Sequence, residues 1–391
     1  MDLSQILSRR VEKVLPSRKG LATLMQKRKI RLYQGFDPTG SHLHLGHSIG
    51  IRKLMDFANA GHEVIFLFGT GTVLVGDPSQ RDTARKLITQ EEIDENIKDW
   101  KRQVTPLVDF DKVTIKQNGD WLIKLTLKEI VKIASNISAV QLFKREMFQR
   151  RIDRGDTVWY HETMYPLLQG YDSVVMDVDL EIGGTDQEFN MLIGRELQQK
   201  MNNREKFVLT VPMIMGTDGK QMSKTSGNCV WLDDTAEDMF GKLMSIPDNQ
   251  IVLYMELVTD LPVERVEEVK KALQSSEVHP MDAKKELADA IVAQFHGEKA
   301  AQSAKENFEN VFQKGKMPDV AKTYKAKSGN VDLVEVITTK GFAKSNSDAR
   351  RLIEQGAIEW NGEKVSSTTL EIENSGTLRI GKHQFLRVEK D

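Results

Sequence analysis

Five consecutive apolar residues, Val64-Ile65-Phe66-Leu67-Phe68, run into a loop of glycines and hydroxyls, Gly69-Thr70-Gly71-Thr72. A strand with no polar position needs cover on both faces, which is the condition of a strand inside a parallel sheet with helices above and below. This run predicts an α/β chain, and it places the loop 69–78 at the carboxyl edge of the sheet, where ligands bind in such folds.

The rest of the chain keeps to that alternation. Residues 1–29 read as amphipathic helix, with Leu3, Ile6, Leu7, Val11, Val14 and Leu15 at helical spacing. Residues 30–36 are a strand, and a helix runs from about His44 to Asn59 and closes at Gly61. A charged helix over 81–105, a short strand over 113–115, a helical insertion over about 121–170, a strand over 173–178 and another over 207–215 complete a doubly wound (Rossmann-like) parallel sheet. Thr185 and Glu188 have capping-box spacing, so a helix is expected to start there.

The first 233 residues thus form one α/β domain. From 234 to 313 strand signals vanish, and Phe240, Leu243 and Met244, then Leu287, Ile291, Phe295, Ala301, Ala304 and Phe308, mark a small helical domain. Residues 314–330 carry Lys314, Lys316, Lys322, Lys325 and Lys327 against Asp319, and read as a basic, flexible linker. Residues 331–391 form a small α+β module, with a helix capped by Ser345 and ending at Gly356, then a hairpin turning at Asn361-Gly362. This module has nine Lys/Arg against ten Asp/Glu, so only the helical face with Lys340, Lys344, Arg350 and Arg351 offers phosphate contact.

Composition supplies exclusions. A net charge of −2 argues against general coating of nucleic acid but leaves room for local basic patches. The single cysteine, Cys229, permits no internal disulfide and points to a reducing cytoplasm. No apolar run is long enough to span a membrane, and the amino terminus lacks a signal-peptide core.

Two motifs carry the chemistry. Between the first strand and the first long helix lies Tyr33-Gln34-Gly35-Phe36-Asp37-Pro38-Thr39-Gly40-Ser41-His42-Leu43-His44-Leu45-Gly46-His47. Strand, glycine turn and helix start bring backbone amides and the positive end of a helix dipole to one place, which suits phosphate. His44 and His47 share one helical face, and Gly46 between them lets a ligand approach. Two histidines so spaced are also half of a zinc site, but no cysteine lies near them. About 180 residues later comes Gln221-Met222-Ser223-Lys224-Thr225, where an ammonium and two hydroxyls suit the charge that develops on a departing pyrophosphate. By itself that string is a mobile polar turn.

Together, in this order and with a doubly wound sheet between them, the motifs resemble the paired signatures of class I aminoacyl-tRNA synthetases. Phe36-Asp37-Pro38-Thr39, Gly76-Asp77-Pro78-Ser79, Tyr165-x-x-x-Gln169-x-x-Asp172 and Gly183-Gly184-Thr185-Asp186-Gln187 are similar to the pattern of the bacterial tyrosyl-tRNA synthetases, and the last module resembles an S4 RNA-binding domain. Tyr165, Gln169 and Asp172 fall on one face of a helix, and their buried polar atoms need partners. The resemblance implies that the tyrosine ammonium meets Tyr165, Gln169 and Asp77, that its phenol meets Asp172 and Tyr33, and that Gln187 is also on the amino-acid side. It implies that Gly35, Asp37, His44, Gly46 and His47 surround ATP phosphates and ribose, with Gly183 and Asp186 holding the sugar. Ser223, Lys224 and Thr225 would be the catalytic loop, with Arg81 and Arg85 as further phosphate contacts. A site that hydrogen-bonds a phenol rejects phenylalanine by roughly 10⁴–10⁵, the figure known for a tyrosyl enzyme itself.

The sequence departs from the family at Gln221, where the loop motif has a lysine, and at Glu181, where some members carry glutamine. The resemblance implies a cytoplasmic tyrosine–tRNA ligase that uses ATP with nucleotide-bound Mg²⁺ and no protein-bound metal. Its partners would be tRNA(Tyr) and a second copy of the chain, joined through the 121–170 insertion, with the 234–313 helices and S4-like module holding the anticodon and variable arms. Three other readings compete. A tryptophan enzyme does not need two phenol partners. A synthetase-like RNA-binding or splicing protein does not need a complete polar set. A nucleotidylyltransferase for a small metabolite has no use for the S4-like tail.

Overall fold

The computed structural model describes residues 2–77, 88–222, 226–310, 322–326, 329–343, 345–372, 374–381 and 384–390. The chain divides into two compact units, Met1–Asp234 with Ser245–Phe295, and Thr235–Met244 with His296–Asp391.

The first unit is built on a six-stranded sheet of β1 (Lys13–Leu15), β2 (Arg31–Phe36), β3 (Glu63–Phe68), β4 (Val113–Gln117), β5 (Leu180–Gly184) and β6 (Phe207–Val211), in the order β1-β6-β5-β2-β3-β4. From β2 to β6 all pairings are parallel, and β1 lies antiparallel on the edge. β3 is flanked by β2 and β4, and Val64 to Phe68 are all 2% exposed or less. Each such side chain contributes roughly 1.5–3 kcal/mol through burial, so this run anchors the sheet as its composition requires. The chain steps from β2 outward to β4, then crosses back to β5 and β6 on the other side. The loops leaving β2 and β5 therefore part from each other, which opens a crevice at their carboxyl ends.

Several expected elements differ. Val14 and Leu15 belong to β1, not to a continuous amino-terminal helix, because Pro16 holds the preceding residue in an extended conformation. Residues 173–176 continue the Tyr160–Met176 helix, which ends where Asp177 adopts a φ of 49°; the strand begins at Leu180. The strand expected over 207–215 stops at Val211 because Pro212 has no amide to donate to a ladder. Thr185 opens a 3₁₀ turn, Thr185–Gln187, ahead of the Glu188–Asn202 helix, and makes no capping box.

Helices over 245–295 belong to the first unit, for a reason the side chains make plain. Arg9 donates to the carbonyls of Glu256 at 3.0 Å and Thr259 at 2.9 Å, and Arg10 to Leu257 at 2.9 Å, which satisfies the open carboxyl end of the Ile251–Val258 helix. Arg52, from the Leu45–Asn59 helix, donates to Asp260 at 2.6 Å. Burial lowers the Arg52 pKa to about 10, although Asp260 opposes the shift.

In the second unit the Ala236–Met244 and Glu298–Phe308 helices pack together, with the Phe240 and Phe308 rings 5.6 Å apart. Its carboxyl-terminal part adds β7 (Lys322–Ala326), β8 (Asn330–Asp332), β9 (Ile358–Trp360), β10 (Glu363–Lys364), β11 (Thr369–Glu371), β12 (Gly376–Ile380) and β13 (Gln384–Lys390), in a five-stranded sheet β10-β9-β12-β13-β7 and a β11-β8 pair. Residues 322–326, expected in a flexible linker, are thus a sheet strand, because parallel pairing with β13 satisfies their backbone. The rest of the expected linker before Lys322 lies outside the described residues. The Ser345 cap accepts from the Asp348 amide at 3.2 Å, and Asn361 and Gly362 both have positive φ, as a two-residue hairpin requires.

Candidate functional site

The crevice between the ends of β2 and β5 collects most of the polar residues singled out above. At the end of β2, Asp37 accepts from Thr72 Oγ1 at 2.7 Å and from Tyr165 Oη at 2.9 Å. Burial pushes the Tyr165 phenol well up, and the charges of Asp37 and Asp77 push it further, so this hydroxyl stays a donor. A Cβ on Gly35 would meet only Leu67, at 3.8 Å, so the protein itself does not require glycine there; the bare position leaves room for a ligand.

The Tyr160–Met176 helix supplies the stripe expected from spacing. Gln169 donates to Glu181 Oε1 at 3.0 Å and accepts from Asn190 at 3.0 Å. Asp172 is 2% exposed and accepts from Trp121 Nε1 at 2.8 Å and Asn118 Nδ2 at 2.9 Å. Burial drives the Asp172 pKa well above the usual carboxylate range, against the two donors, which favour the ionised form. Tyr33 lies fully buried with its hydroxyl 2.9 Å from Ser173 Oγ, among Ile65, Leu67, Met176 and Val178.

After β5, the 3₁₀ turn presents Asp186 and Gln187. Gln187 donates to Asp77 at 2.8 Å and to Asp186 at 3.0 Å, and accepts from Asn190. Burial raises the Asp186 pKa, with Gln187 opposing. Gly183 lies under Met191, where a Cβ would come within 2.9 Å of the sulfur, so it serves helix packing as well as the rim of the site. Arg145 stands over the Phe189 ring at 5.1 Å; burial lowers its pKa, while the charges of Asp77 and Asp186 raise it.

The histidine motif lies at the start of the Leu45–Asn59 helix, which follows β2. His44 is the N-cap of the Leu45–Asn59 helix, its amide donates to His47 Nδ1 at 3.1 Å, and the two rings are 3.9 Å apart. A Cβ on Gly46 would fall 2.9 Å from His44 Nδ1. Leu45 donates to the Val230 carbonyl at 2.9 Å and Leu232 to that of Leu43 at 2.7 Å, so the motif is paired with the segment that follows the 221–225 loop. On that loop's stems, Asn228 Nδ2 donates to Asp218 at 2.8 Å and to the Gln221 carbonyl at 3.0 Å. Gln221 reaches Met213 Sδ at 3.6 Å. Ser223, Lys224 and Thr225, together with Pro78, Ser79, Arg81 and Arg85, lie outside the described residues.

The site thus joins Tyr33, Asp77, Tyr165, Gln169, Asp172, Asp186 and Gln187 through hydrogen bonds or mutual charge. Sequence reasoning missed Asn118, Trp121, Arg145, Ser173, Asn190, Lys206 and Asn228. Asn118-Gly119 at the end of a strand was a findable signal, since that edge of the sheet holds the ligands. Lys206 gave none, because a lysine before a strand reads as solvated. The acid at 181 is in fact matched, since Lys206 forms a fully buried ion pair with it. The basic cluster of the last module is partly committed elsewhere: Lys340 donates to the Thr323 carbonyl at 2.8 Å, and Arg351 pairs with Asp348. Lys344 lies outside the described residues.

Comparison with known proteins identifies the family of the chain. Residues 25–313 match the family model for class I tRNA synthetases (W and Y), and residues 307–388 match that for the tyrosine–tRNA ligase SYY-like C-terminal domain. The chain is 38% identical to a tyrosine–tRNA ligase of Thermotoga maritima, with 98% of this chain and 96% of the relative covered. It is 39% identical to tyrosine–tRNA ligase 2 of Vibrio cholerae, covering 98% and 97%. Among solved structures, the fold is similar to a C-terminally truncated mitochondrial tyrosyl-tRNA synthetase of Aspergillus nidulans, with a TM-score of 0.67 at 21% identity, over 79% of this chain and 94% of the other. It is also similar to a tyrosyl-tRNA synthetase of Archaeoglobus fulgidus complexed with L-tyrosine, with a TM-score of 0.62 at 21% identity, over 78% and 100%.

Proposed function

Since the chain belongs to the class I tRNA synthetases of the tryptophan and tyrosine group and is a tyrosine–tRNA ligase, we propose a specific division of labour among its residues. The reading rests above all on Asp172 and Tyr33, two buried groups able to exchange hydrogen bonds with a phenol. Tryptophan has no group that would use both. Asp77, Tyr165, Gln169 and Gln187 hold the α-ammonium of tyrosine, in a pocket whose excess of carboxylates favours a cation.

In the first step a carboxylate oxygen of tyrosine attacks the α-phosphorus of ATP, an oxygen–phosphorus bond forms, and pyrophosphate leaves. No protein nucleophile takes part, so catalysis consists of positioning and charge stabilisation. Gly35, Asp37, His44, Gly46 and His47 place the nucleotide, Gly183 and Asp186 hold its sugar, and Ser223, Lys224 and Thr225 meet the charge of the departing pyrophosphate. Mg²⁺ arrives with ATP as part of the substrate. Asp37, Asp77 and Asp172 already accept protein hydrogen bonds, which suits a metal carried by phosphates rather than by the protein. In the second step a ribose hydroxyl at the 3′ end of tRNA(Tyr) attacks the activated carbonyl carbon and AMP leaves.

Two further readings concern partners. Ile123, Leu127, Val131, Val140, Trp159 and Tyr160, all in the inserted helical segment, are 54–77% exposed. An apolar set of this size on one segment marks an interface, and it supports a homodimer formed through the insertion. The second unit holds the anticodon and variable arms of tRNA, with Arg350 on the exposed side of its Asn346–Glu354 helix. Among the described residues no helix is long and apolar enough to cross a membrane, and together with Cys229 as the only thiol this supports a cytoplasmic location.

The test is amino-acid-dependent ATP–pyrophosphate exchange with tyrosine, tryptophan and phenylalanine, followed by charging of tRNA. Exchange with tyrosine alone is the expected result, and no exchange with any of the three overturns the ligase reading. Lys224→Ala is expected to depress the activation rate far more than equilibrium tyrosine affinity.

A further inference from the structure

Behind the crevice a single side chain joins two of the residues assigned above to the amino acid. Asn190, on the Glu188–Asn202 helix, is 0% exposed, while Gln169 and Gln187, which it bonds, are each only partly buried. Its Nδ2 donates to Gln169 Oε1 at 3.0 Å and to Gln187 Oε1 at 3.0 Å. Its Oδ1 is buried and has no hydrogen-bond partner among the described residues. A buried amide oxygen is ordinarily met by a donor, so this side chain is used for its N–H groups alone.

The carboxylates around the two glutamines settle which end of each amide is which. A carboxylate only accepts, and an amide side chain donates only from nitrogen. Gln169 Nε2 is spent on Glu181 Oε1 at 3.0 Å, and Glu181 is itself held by the Lys206 ammonium. Gln187 Nε2 is spent on Asp77 at 2.8 Å and on Asp186 at 3.0 Å. Both glutamine oxygens therefore turn toward Asn190, whose two N–H groups serve one each. Turned over, Asn190 would set its own oxygen against two others. Each glutamine is thus gripped at both ends of its amide, with one lone pair of its oxygen left over.

We propose that Asn190 is a positioning residue for the α-ammonium of the substrate: it fixes the Gln169 oxygen as one of three acceptors and steadies Gln187 behind a second, Asp77. The inference rests on the assignment of Gln169 and Asp77 to that ammonium. An ammonium carries three N–H groups. Asp77, the Tyr165 hydroxyl and Gln169 Oε1 supply three acceptors, since Tyr165 spends its own proton on Asp37. Gln187 then acts on the ammonium through Asp77. Without Asn190 each glutamine is pinned at its nitrogen alone, and the Gln169 oxygen loses its aim.

The experiment compares two stable inhibitors of ATP–pyrophosphate exchange by the full-length protein: the adenylate of tyrosinol, and the same molecule with hydrogen in place of the α-amino group. Phenol, chain and nucleotide are common to both, so the ratio of their inhibition constants reports the ammonium. Asn190→Leu, similar in size and without donors, and the smaller Asn190→Ala should each weaken the amino inhibitor about tenfold, the scale of one hydrogen bond to a charged group. The desamino inhibitor should weaken less than about twofold. Because Asn190 acts partly through Gln169, the Asn190→Leu/Gln169→Ala pair should lose less than the product of the two single losses. Equal weakening of both inhibitors would mean that Asn190 only supports the fold of the pocket, and would overturn the proposal. If Gln169→Ala leaves the ratio intact, the assignment of Gln169 to the ammonium is wrong. If Gln169→Ala changes the ratio while both Asn190 variants retain it, the positioning role is overturned and the assignment stands.

Discussion

Trp121 donates its indole N–H to Asp172 Oδ1 at 2.8 Å, beside the place proposed for the phenol of tyrosine. Burial raises the pKa of that carboxylate well above the usual range, while Trp121 and Asn118, as donors, favour its ionised, accepting form. Trp121→Phe keeps the apolar contact and removes the donor. The KM for tyrosine should rise about tenfold, with the KM for ATP nearly unchanged, since a hydrogen bond to a charged group contributes roughly 1.5–3 kcal/mol. Steady-state exchange kinetics check this, and a parallel rise for ATP would refute it.

Asp172→Ala removes the carboxylate and leaves the donors of Asn118 and Trp121 facing nothing. Tyrosine selection should collapse while ATP binding persists, and stability should drop by about 1–3 kcal/mol from the stranded donors. Asp172→Asn gives them an acceptor again, so it should recover most of the stability but little of the selection. Urea unfolding alongside exchange assays separates the two effects.

Asn228 ties both stems of the signature loop, through Asp218 and the Gln221 carbonyl. Asn228→Ala should slow adenylate formation about tenfold or more in single-turnover measurements and leave equilibrium tyrosine binding within twofold. Equal losses in both would show that the stems matter to the fold rather than to activation.

Asp179 is 1% exposed and held by Arg28 at 2.8 Å, by Arg204 at 2.7 Å and by the Arg31 amide at 2.9 Å. Burial pushes its pKa up, but these partners outweigh it and the net shift is downward. A carboxylate whose pKa is lower folded than unfolded contributes stability above its unfolded value, near 3.9, and loses it as pH falls through the folded value; each unit of depression is about 1.4 kcal/mol. Denaturation midpoints below pH 4 should therefore fall more steeply for the native chain than for Asp179→Asn. Parallel curves would dismiss the linkage.

Leu127 and Val131 are 77% and 58% exposed on one inserted helix. Replacing both with aspartate should convert a dimer to monomer by light scattering without lowering the midpoint of urea unfolding measured on the monomer. A dimer that persists would move the interface elsewhere.

The readable parts of this chain were those whose signal is local. The unbroken apolar run of β3 announced a parallel sheet, Ser345 and Gly356 bounded a helix, and Tyr165, Gln169 and Asp172 declared a shared face through spacing alone. Misreadings arose where a long-range partner decided the outcome. Lys322 to Ala326 resembled a linker until β13 supplied a pairing edge, and the apolar residues after Asp172 suited a strand as well as the helix they continue. Lys206 looked like a surface lysine because the acid that draws it inward lies 25 residues earlier. Trp121 and Asn118 stand three residues apart, and although the strand end beside Asn118 pointed to a ligand edge, nothing local tied either to a carboxylate 51 and 54 residues away.

The ion pair of Glu181 and Lys206 also constrains how this lineage of sequences can change. Losing either charge first leaves the other buried and unmatched, a penalty of roughly 3–5 kcal/mol against a total stability of about 5–15 kcal/mol. A descendant with a neutral residue at one position is therefore reached most easily through a neutral residue at the other as well. The two sites behave as one inherited character, and a protein engineer who transplants a pocket from a glutamine-bearing relative must carry over the residue before β6 along with it.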